Sequence, residues 1–162
     1  KSVYSKWPKI CLNARCMLDE IKFVSRGSLV EDYRVLDIYL NGASLKSLIR
    51  EQEVKFLADF GMAFPGVYEG IPSMYGFLPK EHFWGMADPA YQKEPGRVAI
   101  LENGRSGIPG ELTISVEIEV DGETVRWRGF RQEQVGMTFK HIRPFVFDLA
   151  DYMHALKEAE EA

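Results

Sequence analysis

The sequence is poor in the residues on which disulfide frameworks, zinc sites and many catalytic motifs depend. It contains two cysteines, Cys11 and Cys16, and three histidines. Small secreted domains that are held together by disulfides carry more cysteines than this. The spacing of the pair is not that of a zinc knuckle or a thioredoxin-type motif. We therefore expect two reduced thiols in a cytoplasmic protein, or a local disulfide that closes only a short loop.

Long apolar runs and an excess of positive charge are also missing. No stretch approaches the roughly 20 apolar residues that a membrane-spanning helix needs. The net charge is -4 at pH 7, whereas nucleic-acid-binding domains usually present a basic face. Three nearby arginines, Arg126, Arg128 and Arg131, are typical of one solvated strand face. We expect no membrane partner and consider nucleic acid a poor fit.

The remaining composition is that of one compact, soluble domain. The chain has 162 residues, of which 46% are hydrophobic and 27% charged, enough for a single hydrophobic core. The polar segment 1–9 lacks the apolar centre of a signal peptide. We predict one domain over residues 1–162, with residues 1–16 as a loosely attached N-terminal extension.

Alternating apolar and polar residues predict most of the secondary structure. Asp121-Gly122 predicts a tight hairpin turn, and Val125 and Trp127 are expected to point into the core, with a bulge near Gly129. The predicted strands are a hairpin within 17–40 and single strands at 97–101, 112–120, 123–131 and 145–147. Helical periodicity predicts one helix over 44–60 and a second that Asp148 caps. This order favours an α+β fold with a mostly antiparallel sheet and two main helices.

The segment 61–96 differs from the rest because it combines glycine, proline and aromatic residues. Its six glycines and five prolines predict a long aromatic loop in which residues 79–84 can form one short helical turn. Loops of this length are uncommon without a function. Tyrosine and tryptophan commonly anchor interfaces and ligand pockets. The candidate binding residues here are Tyr68, Tyr75, Phe83 and Trp84. We expect Phe64 and Phe77 to be buried, and Tyr68, Tyr75 and Trp84 to expose ring area.

No catalytic, metal or cofactor motif stands out. His82 could act as a general base beside Glu81 or Glu69, but a packing role is favoured. Ser106 lacks the Gly-x-Ser-x-Gly frame, and the glycine-rich run 102–110 precedes a strand where a phosphate loop needs a helix. The acidic residues Glu117 and Glu119 fit the wet face of a strand better than a metal site. We predict no catalytic residue, no metal and no cofactor.

Several short runs resemble a group of small uncharacterised bacterial α+β proteins. They are residues 40–45, 66–70, 98–101, 125–130 and 144–148, followed by Tyr152 and Leu156. Members of that group often carry a cysteine cluster after the strand that begins at Val98, where this chain has Asn103, Arg105 and Gly110 or their neighbours. The resemblance implies a bacterial, cytoplasmic domain and implies no activity, and a metal or redox role for that region is not carried over.

Together these features favour a non-catalytic protein-binding domain of the immunity or antitoxin type. The aromatic segment and the acidic strand face around Glu117 and Glu119 would bind the partner. Opposite charges on two proteins speed their association, so an acidic domain suits a basic partner such as a nuclease toxin. The alternatives are a small-ligand-binding domain or enzyme with its pocket under residues 61–96, using His82 and nearby carboxylates, and a structural subunit of an assembly.

Overall fold

The computed structural model describes residues 18–30, 32–77, 81–106 and 108–162. The predicted N-terminal extension and both cysteines lie outside these ranges. Within them the chain forms ten strands, three helices and one 3-10 turn. The strands are β1 (Ile21–Gly27), β2 (Arg34–Leu40), β3 (Ala43–Ser44), β4 (Tyr68–Gly70), β5 (Gln92–Glu94), β6 (Arg97–Asn103), β7 (Ile114–Asp121), β8 (Thr124–Gln132), β9 (Met137–Thr138) and β10 (Phe145–Asp148). The helices are α1 (Leu45–Lys55), α2 (Ser73–Phe77) and α3 (Leu149–Glu161), and the 3-10 turn is His82–Trp84.

The strands form two antiparallel sheets. The first has the order β1-β2-β3, and the second runs β10-β8-β7-β6-β4, with β5 on β6 and β9 on β8. Two predicted local features occur in the pairing of β7 with β8. Asp121-Gly122 closes the β7–β8 hairpin. Gly129 of β8 has a φ of +61° and lies where the register between β7 and β8 shifts. The predicted bulge is therefore confirmed.

Hydrogen bonds join the two sheets along both edges of the first one. The Asp19 amide donates to the Val146 carbonyl of β10 over 2.7 Å, and the Leu36 amide donates to the Ile71 carbonyl over 2.9 Å. The two sheets therefore enclose a common core. Trp127 is fully buried in this core, as predicted, and Val116 is buried in the same cluster. The rings around Trp127 are Phe23, Phe83, Phe147 and Tyr152.

The two long helices follow the predicted pattern, with one corrected boundary. Asp148 caps α3, since its side chain accepts from the amides of Ala150 and Asp151 at 2.9 and 3.1 Å. The first helix ends at Lys55, earlier than residue 60, and turns continue the chain to Gly61. In the described part of the chain, no helix is long and apolar enough to cross a membrane.

The 3-10 turn His82–Trp84 falls where one short helical turn was predicted, but the prediction that the rest of 61–96 is loop is wrong, because its described part also contains β4, α2 and β5. The backbone of β4 pairs with β6, so Tyr68 lies opposite Asn103. A Cβ atom on Gly70 would lie 1.9 Å from the Leu36 carbonyl oxygen. This glycine therefore marks a close approach of two backbones, where the sequence pattern indicated a loop.

Candidate functional site

The predicted binding aromatics of residues 61–96 are mostly part of the core. Phe83 is fully buried, and Tyr68 is 7% exposed, so the expectation that Tyr68 is exposed is wrong. Tyr75 and Trp84 are half-buried and pack against the core. Phe64, which was expected to be buried, is 71% exposed. The side chain of Phe77 lies outside the described residues.

Each buried aromatic has a polar or stacking partner that explains its position. The Tyr68 hydroxyl donates to Glu53 Oε1 over 2.5 Å, and the Gly66 amide donates to Glu53 Oε2 over 2.8 Å. Burial raises the pKa of both Glu53 and Tyr68. Phe83 packs against Phe23 with ring centroids 4.7 Å apart. These contacts give Tyr68 and Phe83 structural roles.

The strand face that carries Glu117 and Glu119 has mixed charge. Arg128 lies 2.7 Å from Glu117 and 3.8 Å from Glu119. A second arginine, Arg97, reaches to 3.9 Å from Glu117. The two acidic residues therefore belong to a ladder of ion pairs, and the face presents less net negative charge than their spacing in the sequence indicates.

His82 is buried and neutral. Burial lowers its pKa to about 4, which outweighs the opposing effect of its hydrogen bond to Ala99. Nε2 lies 2.8 Å from the Ala99 carbonyl oxygen, so the proton of the neutral ring sits on Nε2 and Nδ1 is left as an acceptor. This Nδ1 has no hydrogen-bond partner among the described residues.

Two buried carboxylates, Glu69 and Glu102, lie directly opposite each other on β4 and β6. Residues paired in this way have Cβ atoms about 5 Å apart on the same face of the sheet. The Glu69 carboxylate accepts three hydrogen bonds. They come from Arg26 Nη1 at 3.1 Å, Ser28 Oγ at 2.8 Å and the Leu29 amide at 2.7 Å. These three hydrogen bonds hold the Glu69 carboxylate in place, which gives the residue a structural role.

Among the described residues, Glu102 is hydrogen-bonded through only one of its oxygens. Oε2 accepts from the Gly110 amide at 3.0 Å and from Thr113 Oγ1 at 2.8 Å. Oε1 is buried and has no partner in the described part of the chain. The residue is 4% exposed, and this burial raises its pKa. A carboxyl oxygen in this state is costly unless another group satisfies it.

Tyr91 packs beside His82 and Tyr75, and Glu102 acts on its hydroxyl through charge. Its ring centroid lies 6.2 Å from that of His82 and 4.9 Å from that of Tyr75. Burial is the main cause that raises the pKa of the Tyr91 hydroxyl, and the negative charge of Glu102 is the second. We refer to Tyr75, His82, Tyr91 and Glu102 as the Tyr91 cluster. Three of its four members belong to the segment 61–96 itself, under which the sequence predicted the alternative ligand site.

Exposed apolar side chains occur beside the two carboxylates. Leu29 is 74% exposed and its amide binds Glu69. Ile108 is 52% exposed and precedes Gly110, whose amide binds Glu102. Leu29 and the loop that carries Ile108 are therefore each bonded to one member of the opposed Glu69–Glu102 pair. We refer to this surface as the end face, and its exposed apolar residues are Leu29, its neighbour Val30, and Ile108.

Sequence reasoning missed Glu102 and Tyr91. A signal for Glu102 was present, because a carboxylate directly follows the apolar run 98–101 that forms most of β6. Nothing local indicated that its neighbours would cover it. Within the described ranges, no three His, Cys, Asp or Glu side chains come together as a metal site.

Comparisons of the chain with protein-family models, with curated proteins and with solved structures found no match.

Proposed function

We propose that this chain is a non-catalytic protein-binding domain and that its partner docks on the end face. The observation that carries the proposal is the placement of exposed apolar side chains around the Glu69–Glu102 pair. Contiguous apolar surface on a small domain commonly marks an interaction site. Interfaces combine such apolar contacts with a few fixed polar groups.

The end face has geometry suited to a rigid interface. The Leu29 amide is tied to Glu69 at 2.7 Å, and the loop that carries Ile108 is tied to Glu102 through Gly110 at 3.0 Å. The two apolar side chains are therefore presented by backbone that is anchored to neighbouring strands. A surface organised before binding loses less conformational entropy when it binds.

The charge of the chain favours a basic partner. The net charge is -4, and Glu111, which is exposed, lies on the same loop as Ile108. Complementary charge speeds association and excludes wrong partners. We further propose that the partner is a bacterial toxin, such as a basic nuclease, which the domain neutralises in the cytoplasm. The resemblance to small bacterial α+β proteins supports a bacterial source, and the net charge of -4 supports a basic protein as the partner.

Site-specific photocrosslinking tests the location of the interface. A photoreactive residue is placed at Leu29 or Ile108, and at Met153 on α3 as a matched exposed apolar control. The proposal predicts that one basic protein is crosslinked in the native organism from the first two positions and not from the third. Crosslinking from Met153 alone, or equally from all three, would place the interface elsewhere.

Small-ligand binding beneath residues 61–96 is a second candidate function. The observation in its favour is that His82 Nδ1 and Glu102 Oε1 are buried with no hydrogen-bond partner among the described residues, and that the His82 ring packs beside Tyr91. For the protein partner, Glu117 and Glu119 stay a predicted secondary contact surface. The Glu117→Gln/Glu119→Gln double variant tests this in the crosslinking experiment. It should reduce the yield of crosslinked partner less than a Leu29 substitution does.

A further inference from the structure

We propose that an open cavity between the end of α1 and the segment after β9 binds a small aromatic zwitterion, namely a free aromatic α-amino acid. The cavity has a volume of about 380 Å³, which is within the range of small-ligand sites. We refer to it as the α1–β9 cavity, and it shares no residue with the end face or the Tyr91 cluster. The lining residues that define its chemistry are Phe56, Asp59, Phe60, Met137, Lys140 and His141.

One wall of the cavity is the turn that follows α1. The Phe60 amide donates to the Phe56 carbonyl over 3.1 Å, and the Gly61 amide donates to the Ala58 carbonyl over 3.1 Å. Asp59 lies inside both of these hydrogen-bonded loops and is exposed. The backbone therefore holds the Asp59 carboxylate at the surface of this wall.

The opposite wall is a β-turn that presents Lys140 and His141. The Ile142 amide donates to the Phe139 carbonyl over 3.1 Å, so Lys140 and His141 are the two central residues of the turn. Phe139 is buried, and its amide donates to the Phe130 carbonyl of β8 over 2.8 Å. The turn is thereby anchored to the second sheet.

Two aromatic contacts fix the walls with respect to each other. The ring centroids of Phe60 and Phe139 lie 4.8 Å apart. The rings of Phe56 and His141 stack with their centroids also 4.8 Å apart and their planes within 5° of parallel. Each contact joins one residue of the first turn to one residue of the second, so the width of the cavity between them is set by packed side chains.

The walls carry opposite charges that are not paired. Asp59 directly precedes Phe60 on one wall, and Lys140 directly follows Phe139 on the other. Within the described ranges, neither charged side chain forms an ion pair. A ligand that satisfies both must carry a cationic and an anionic group. An α-amino acid has both on one carbon, whereas a simple anion would be attracted by Lys140 and repelled by Asp59.

The apolar lining lies deeper than the charges and selects an aromatic side chain. Phe60 is buried, and Phe56 and Met137 are half-buried, while Asp59 and Lys140 are exposed. Aromatic rings pack favourably against other rings and against methionine sulfur. The ring of the ligand therefore enters first, and its ammonium and carboxylate groups stay at the charged rim.

The test uses the full chain and four small probes. L-Tryptophan carries all three groups, tryptamine lacks the carboxylate, indolepropionate lacks the ammonium group and L-alanine lacks the ring. Binding is followed by two-dimensional NMR of the backbone amides. We expect saturable shifts at residues 56–61 and 137–142 with L-tryptophan, no saturable response to L-alanine, and binding of tryptamine and indolepropionate that is weaker by about threefold to fivefold, the range of an exposed ion pair.

Two variants assign each charge to its wall. Lys140→Met should weaken L-tryptophan binding by about threefold to fivefold and leave tryptamine binding unchanged, because tryptamine has no carboxylate to lose a partner. Asp59→Asn should likewise weaken L-tryptophan and leave indolepropionate unchanged. Lys22→Met on β1 is the matched control, since Lys22 is exposed and lies outside the cavity, and it should bind every probe as the wild type does.

Any of four results would overturn the inference. They are no saturable response of the wild type to L-tryptophan, saturable shifts confined to other parts of the chain, equal affinities for the three indole probes, and an equal loss of L-tryptophan and tryptamine binding in Lys140→Met.

Discussion

The Trp127 indole donates its N–H to the Tyr152 hydroxyl over 3.1 Å, deep in the core between β8 and α3. The same hydroxyl donates to the Phe83 carbonyl over 2.8 Å. One phenol oxygen thus connects a strand, a helix and the 3-10 turn of the segment 61–96. Both side chains are fully buried, so water cannot replace either hydrogen bond.

Tyr152→Phe should destabilise the protein by about 2 kcal/mol or more, because it leaves the Trp127 N–H and the Phe83 carbonyl unpaired in the core while the ring stays in place. Denaturant unfolding monitored by tryptophan fluorescence measures this loss. Tyr39→Phe is the control, since Tyr39 is half-buried at the rim of an open groove, and it should change stability by less than about 0.5 kcal/mol. Equal effects of the two substitutions would refute the role of this hydrogen-bond chain.

Gly70→Ala should be severely destabilising, by about 3 kcal/mol or more, because its Cβ atom would lie 1.9 Å from the Leu36 carbonyl oxygen and a backbone atom cannot move aside cheaply. This contact is where the two sheets meet. Gly27→Ala at the end of β1 is the matched control, as no atom lies within 4 Å of its added Cβ. Thermal unfolding should therefore separate the two alanine variants clearly, and a native-like melting temperature for Gly70→Ala would contradict the described junction.

The ion pair between Asp19 and Arg143 should make stability depend on pH in the acid range. The hydrogen bond from Arg143 is the largest cause that lowers the pKa of Asp19 from 3.8 to about 2. A carboxyl whose folded-state pKa is depressed contributes its stability fully above the unfolded value and loses it as the pH falls. The contribution should thus be present at pH 5 and vanish between about pH 4 and pH 2.

Unfolding free energies of wild type and Asp19→Asn across this range provide the measurement. At pH 7 the variant should be less stable by about 1 kcal/mol, since Arg143 is well exposed and solvent screens the pair. The gap should close as the pH approaches 2. Asp121→Asn in the β7–β8 turn is a suitable control, because asparagine also favours that turn. A gap that stays constant with pH would show that Asp19 acts only through uncharged hydrogen bonds.

The sequence alone predicted those parts of the fold that local chemistry determines. The alternation in β7 and β8, the Asp121-Gly122 turn and the Asp148 cap each depend on neighbours a few residues away. Residues 61–96 were misinterpreted because their roles depend on distant partners. Gly70 is required by Leu36, which lies 34 positions earlier in the numbering and belongs to the other sheet.

The candidate site was less predictable than the fold for the same reason. The buried Tyr68 hydroxyl donates a hydrogen bond to Glu53 of α1, and no pattern within 61–96 reveals that contact. Glu102 becomes a buried, half-satisfied carboxyl only when β4 pairs with β6 and Gly110 folds back onto it. Burial of a charged side chain is a property of the packed structure, so the sequence indicated only its position after an apolar run.

The affinity of the crosslinked partner for end-face variants tests the proposed function most directly. Leu29→Ser and Ile108→Ser remove exposed apolar side chains, so stability should change little, while Met153→Ser makes the same kind of change on α3. Isothermal titration calorimetry should show that each end-face substitution weakens binding by about 2 kcal/mol, as expected for interface anchors, and that Met153→Ser binds like the wild type. Wild-type affinity in both end-face variants, or an equal loss in Met153→Ser, would contradict the assignment of the end face as the binding surface.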